Sequence, residues 1–271
     1  MPTKQGKTYA NTYKNDLTIN QSSNTGVDAT TRTIQDGAGN NSSTSLSDDV
    51  LKVQPVTDNT TGTFLVKNQA GNSILATDTT NSKVLIGASQ TAANTQYAHF
   101  GIADTASASF VADTHYAIPF QTNFSLGTAI VSMGSSTSSS FNDTNPSTSV
   151  TIPATAMDLV NMYWYVMDNI TIDAVKWLHG ADTATGEDVA AHVMAYTVDT
   201  GNGSTGGDLS SGVVVADGAT ITNAGYEQIY YQAMTIQSAD VDAGKIILFT
   251  FASDTVNSDY SINATIKYHI R

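Results

Sequence analysis

The sequence has no cysteine, little charge, two glutamates and no long apolar run, and each shortage narrows what the chain can be. Without cysteine there are no disulfide staples, no thiolate zinc sites and no cysteine nucleophile, so stability has to come from packing. Charged residues fill 13% of the 271 positions, against roughly 25% in ordinary globular domains, which predicts a polar but weakly ionic surface. Glu187 and Glu227 are the only glutamates. A strong helix former is thus nearly missing while Ser, Thr, Asn, Asp and Gly abound, a bias toward strands and turns. No stretch of about 18 apolar residues marks a membrane span. The opening MPTKQGKTYANTYKND has no apolar core of the signal-peptide kind. The expectation is a soluble protein made in a cytoplasm, with no membrane insertion. The net charge of −13 and the lack of any Lys/Arg cluster argue against nucleic acid as a partner.

Against these shortages stands one periodic stretch, Thr63 to Ser89, TFLVKNQAGNSILATDTTNSKVLIGAS. Phe64, Ile74 and Val84 correspond at ten-residue spacing, as do Leu65, Leu75 and Leu85, then Val66, Ala76 and Ile86, with polar turn residues between. The pattern predicts three short strands and two matching turns. Apolar residues at consecutive strand positions make both faces apolar, and three strands of four residues cannot cover both faces themselves. Other copies of the chain are the economical cover, so Phe64, Leu65, Val66, Ile74, Leu75, Val84, Leu85 and Ile86 are the candidate oligomer interface.

Around this stretch the chain divides into three parts. Residues 1–47 hold isolated apolar residues with no sustained period and predict an extended N-terminal anchor arm, ordered when laid along a partner through Tyr9, Tyr13, Leu17 and Ile19. Lys4, Lys7, Lys14 and Arg32 against Asp16, Asp28 and Asp36 give the first 45 residues a net +1, leaving −14 for the rest. Residues 48–112 form the β-rich oligomerisation neck, closing in a small-residue stretch, SQTAANTQYAHFGIADTASAS, that reads as a short helix or a linker. Residues 113–271 carry longer strands between Gly, Asn and Asp turns. Among them are Val189 to Val198, Lys245 to Ala252 and Tyr260 to Ile270, the last strictly alternating. The fold class expected is all-β, with an extended arm, a short trimeric β neck and a C-terminal antiparallel β-sandwich of jelly-roll type.

Sites are sparse. The five histidines form no HExxH motif or close pair, although His179 and His192 could meet across a sheet. Asp182, Glu187 and Asp188 are weak calcium candidates on a loop without EF-hand spacing, and solvated turns are the simpler reading. No GxSxG, P-loop or helix-opening GxGxxG is present, so neither an enzyme nor a cofactor is expected. The aromatic clusters Tyr163-Trp164-Tyr165 and Tyr226 to Tyr231 offer Tyr165, Tyr226 and Tyr231 as receptor contacts, or else as core and interface residues.

The periodic stretch resembles a module of tailed-bacteriophage fibres and spikes. Its parts are the strand Phe64 to Lys67, the Gly71-Asn72 turn, the strand Ile74 to Thr77, the turn Asp78-Thr79-Thr80-Asn81-Ser82-Lys83 and the strand Val84-Leu85-Ile86-Gly87. Here Ala88-Ser89-Gln90 follows, where the module usually continues with Thr-Ser-Pro. NITIDAVKW, GYEQIYYQ and the closing TIKYHIR look like the β-domain of marine phage virion proteins. The resemblance implies a homotrimer at the virion surface, a tail or head fibre, spike or capsid decoration, with other virion proteins as partners. The rival expectation is a host-attachment protein that recognises surface glycans through its C-terminal domain.

Overall fold

A computed structural model describes residues 16–22, 26–89, 91–103, 111–121, 131–135, 146–151, 160–181, 185–201, 203–225, 228–254 and 260–271. The protein is all-β with antiparallel sheets; among the described residues the one helical element is a 3-10 turn at Val160–Met162. The chain divides after Asn94 into two units.

Side-chain-capped turns organise the first unit. Strands β1 (Leu17–Ile19), β2 (Arg32–Asp36), β3 (Asn41–Leu46) and β4 (Leu51–Val53) form a sheet in chain order. At the β2–β3 turn the Asp36 carboxylate accepts from the backbone N–H of Ala38 (2.9 Å) and Asn40 (2.8 Å) and from the Asn40 side chain (2.7 Å). The expectation is of an extended arm ordered only along a partner; here polar residues build a sheet within the chain, because hydrogen-bonded turns fix the register without an apolar face. A boundary at residue 47 would cut it, since β4 pairs with β3. Leu17-Thr18-Ile19 forms a strand whose partner is β2 of the same chain.

The second sheet follows, β5 (Phe64–Lys67), β6 (Ser73–Asp78), β7 (Lys83–Ile86) and β8 (Thr91–Ala92), again in chain order. Asn68 Oδ1 accepts from Asn72 N (2.9 Å) across the first turn, where Gly71 takes φ +85°, a conformation open to glycine at no steric cost. Asp78 plays the same part in the second turn, accepting from Asn81 N (2.9 Å) and Asn81 Nδ2 (2.7 Å).

The second unit begins with β9 (Thr95–Ile102), which pairs along β21 (Tyr260–Ile270). Within the stretch expected as a helix or linker, Thr95–Ile102 is therefore an edge strand, with Ala98, Phe100 and Ile102 buried in the core and Tyr97 and His99 exposed. The division falls after Asn94 instead of near Ala112. One sheet has the order β17-β13-β21-β9, with β13 at Ile170–Ala181 and β17 at Gln228–Ala233; β19 (Asp240–Val241) pairs with the start of β13. The other is ordered β11-β10-β20-β14-β15-β18, from Val131–Ser135, Thr114–Ile118, Lys245–Ser253, Asp188–Val198, Leu209–Asp217 and Thr235–Ile236. Two short strands join it, β12 (Trp164–Tyr165) on β20 and β16 (Ile221–Thr222) on β14.

Phe100, Trp177, Val193, Phe249, Phe251 and Ile266 belong to the core of this unit. Trp177 is fully buried, 6.0 Å from the rings of both Phe249 and Phe251, and its Nε1 donates to Gln232 Oε1 at 3.2 Å. Alternate residues of β14 and β20, Met194, Tyr196, Ile246 and Leu248, point the other way into a second cluster with Met133, Met162 and Leu209. Strand β20 is thus buried on both faces, which is why Ile246 to Ala252 is an apolar run broken only by Thr250.

Candidate functional site

Strand alternation and register sort the periodic residues onto two faces of the β5–β8 sheet. Phe64 pairs with Thr77 and Val84 follows in register; Val66, Leu75 and Ile86 form the next row on the same face. Leu65, Ala76 and Leu85 make a row on the opposite face, with Ile74 beside them. Phe64, Leu65, Val66, Ile74, Val84 and Ile86 keep 39–52% of their surface exposed; Leu75 and Leu85 are half-buried and Ala76 is buried. All eight residues expected at an interface therefore come together, on a sheet whose two faces are both apolar and both open. Covering the remaining surface of one such side chain is worth roughly 1 kcal/mol.

Of the expected anchor residues, Leu17 is 74% exposed on β1 and Ile19 is half-buried; Tyr9 and Tyr13 lie outside the described residues. Of the expected receptor contacts, Tyr226 lies outside the described residues, and the structure does not bring the other two together. Tyr231 is exposed on β17, opposite Leu178, with Lys176 Nζ 5.8 Å from its ring centre. Tyr165 is exposed on β12 in the other sheet.

Tyr165 lines a cavity of about 210 Å³ together with Gln96, Trp164, Met167, Asp168 and Tyr268. Trp164, 8% exposed, packs near-parallel to Phe120 (5.8 Å between ring centres) and 4.9 Å from Tyr268. The Tyr268 hydroxyl donates to Gln96 Oε1 at 2.8 Å, and burial raises its pKa. The sequence clusters pointed to Trp164 and Tyr165; Met167 and Asp168 follow directly in the chain, whereas Gln96 and Tyr268 carry no local signal, because strands far apart in the chain bring them there.

Among the calcium candidates, Asp182 lies outside the described residues. Glu187 accepts from the Tyr260 hydroxyl and Asp188 from Thr222 Oγ1. Asp254, which accepts from Asp188 N at 3.0 Å, is pushed up by burial and by the charges of Asp188, Glu187 and Asp113. Among the described residues no group of three or more His, Asp or Glu is arranged to hold a metal ion. His179 and His192 take different partners. His179 Nε2 lies 2.9 Å from Asn223 Oδ1 and its ring stacks between Trp177 and Tyr230, whereas the His192 ring lies 4.9 Å from that of His115.

Set against known proteins, the chain matches no protein-family model, and no curated protein matches it.

Proposed function

We propose that the protein is a non-enzymatic structural subunit of a bacteriophage virion: a homotrimeric fibre, spike or capsid decoration, attached through its N-terminal residues and presenting its C-terminal sandwich. The observation that carries this reading is the β5–β8 sheet with six half-exposed apolar side chains shared between its two faces. An isologous dimer would cover one face and leave the other wet. Packing one face against the opposite face of the next copy is a heterologous contact, which forms a ring where its rotation closes, and three copies are the smallest ring of this kind beyond a dimer.

The second unit supports a jelly roll. Taking β9, β10, β13, β14, β15, β17, β20 and β21 as eight successive strands, the first, eighth, third and sixth lie side by side in one sheet, and the second, seventh, fourth and fifth in the other. This is the interleaved order of the double-sheet jelly roll, an architecture common among viral capsid and lectin domains. Antibody raised against residues 95–271 is expected to label the surface of intact purified virions, with a copy number divisible by three; absence from the particle contradicts the proposal.

A second reading, attachment to a host-surface glycan, draws on exposed Tyr231 beside Leu178 and Ile229. It predicts glycan-array binding by the full chain that Tyr231→Ala abolishes without loss of assembly.

A further inference from the structure

The geometry points to a binding site for an organic cation, an alkylammonium or quaternary ammonium head group, in the cavity formed by Trp164, Tyr165, Met167, Asp168, Tyr268 and Gln96. The inference does not rest on the virion reading. Three aromatic rings, a thioether and one carboxylate line about 210 Å³, and no lysine, arginine or histidine is among the lining residues. Ring faces carry the negative end of an aromatic quadrupole, so rings beside a carboxylate attract a cation, and a methylated ammonium also gains from the apolar walls. The cavity is smaller than the roughly 300–1,000 Å³ of drug-sized sites, which suits a single compact head group.

The walls are held in place. Trp164 is fixed by Phe120 and by its strand pairing with Ile247, while Tyr165, 47% exposed, keeps ring surface available. Met167 and Asp168 form a tip between two backbone anchors. On one side Val166 N donates to Lys245 O (2.9 Å) and Gly244 N to Val166 O (2.8 Å). On the other, Ala243 N donates to Asn169 Oδ1 (2.9 Å) and Arg271 N to Asn169 O (2.8 Å). The cations adjoining these anchors are engaged elsewhere: Lys245 Nζ donates to Thr197 Oγ1 at 2.6 Å, and the Arg271 guanidinium binds Asp240 and Asp242. Asp168 therefore faces the cavity with no cation of the chain's own bonded to it among the described residues. The net charge of −13 enriches cations at the surface as a whole.

The test is a titration of the full chain with choline, with its uncharged isostere 3,3-dimethylbutan-1-ol, and with methyl glucopyranoside, followed by NMR. Choline is expected to bind about fivefold or more tighter than the isostere, the scale of one cation–π contact. Asp168→Asn and Tyr165→Ala, both at exposed positions, are expected to weaken choline about fivefold each while the thermal midpoint stays unchanged. Tyr268→Phe, which keeps the ring and loses the bond to Gln96, is expected to retain binding. Equal or tighter binding of the isostere or the glucoside, or choline binding indifferent to Asp168→Asn and Tyr165→Ala, overturns the inference.

Discussion

Burial pushes the His192 imidazole down to about 4, although Asp217 Oδ1 stands 3.2 Å from its Nε2; Asp217 is itself raised by burial. A depressed histidine favours the folded state fully above its unfolded value near 6.5, and that contribution is lost as the pH falls toward 4. The full span is worth about 3 kcal/mol. Urea midpoints at fixed protein concentration should therefore drop between pH 6.5 and 4.5, and His192→Gln should flatten the profile; an equally steep profile in the variant would assign the pH dependence to other groups. Gly212 tests packing in the second cluster. A Cβ there would stand 2.5 Å from Tyr196 Cε1 and 3.0 Å from Thr148 Cα, while Gly212 N donates to Thr148 O at 2.8 Å. Backbone on one side and a buried ring on the other leave little room to yield. Gly212→Ala should cost about 1–3 kcal/mol in urea unfolding, and a neutral substitution would mean that Tyr196 moves freely.

At the scale of elements, what the sequence reveals depends on how each strand is buried. β5–β7, β20 and β21 were legible because repetition, a near-continuous apolar run or strict alternation reports their faces directly. β13 blurs because a bulge between Ile172 and Ala174 reverses its phase: Ile170 and Ile172 point inward before it, Val175, Trp177 and Ala181 after it. The displaced Asp173 then accepts from His269 Nδ1 at 3.0 Å. β1–β3 have almost no apolar pattern to read, and β9 was hidden by small residues around Phe100 and Ile102. The cavity was half legible, in Trp164 and Tyr165 alone, since Gln96 and Tyr268 reach it only through the pairing of β9 with β21. β9 supplies a prediction of its own. Residues 95–271 should unfold cooperatively on heating, followed by near-ultraviolet circular dichroism, whereas residues 113–271, without β9, should lose that transition because the β21 edge and the cores of Phe100 and Ile102 are left open. Cooperative unfolding of the shorter fragment would move the unit boundary back toward Ala112.

For the whole molecule, weak surface charge and the absence of cysteine put the weight of stability on buried apolar area, and the proposed trimer would place some of that area between copies. The measurement that bears most directly on this account is the solution mass by analytical ultracentrifugation of the full chain and of two variants, Ile74→Asp and Ile86→Asp, one on each face of the β5–β8 sheet. Both side chains are about half exposed, so neither change disturbs the fold of a single chain, yet each buries a carboxylate in the proposed interface. The account predicts three times the 28.5 kDa chain mass for the wild type and monomers for both variants. A monomeric wild type, or a trimer that survives both substitutions, would contradict it.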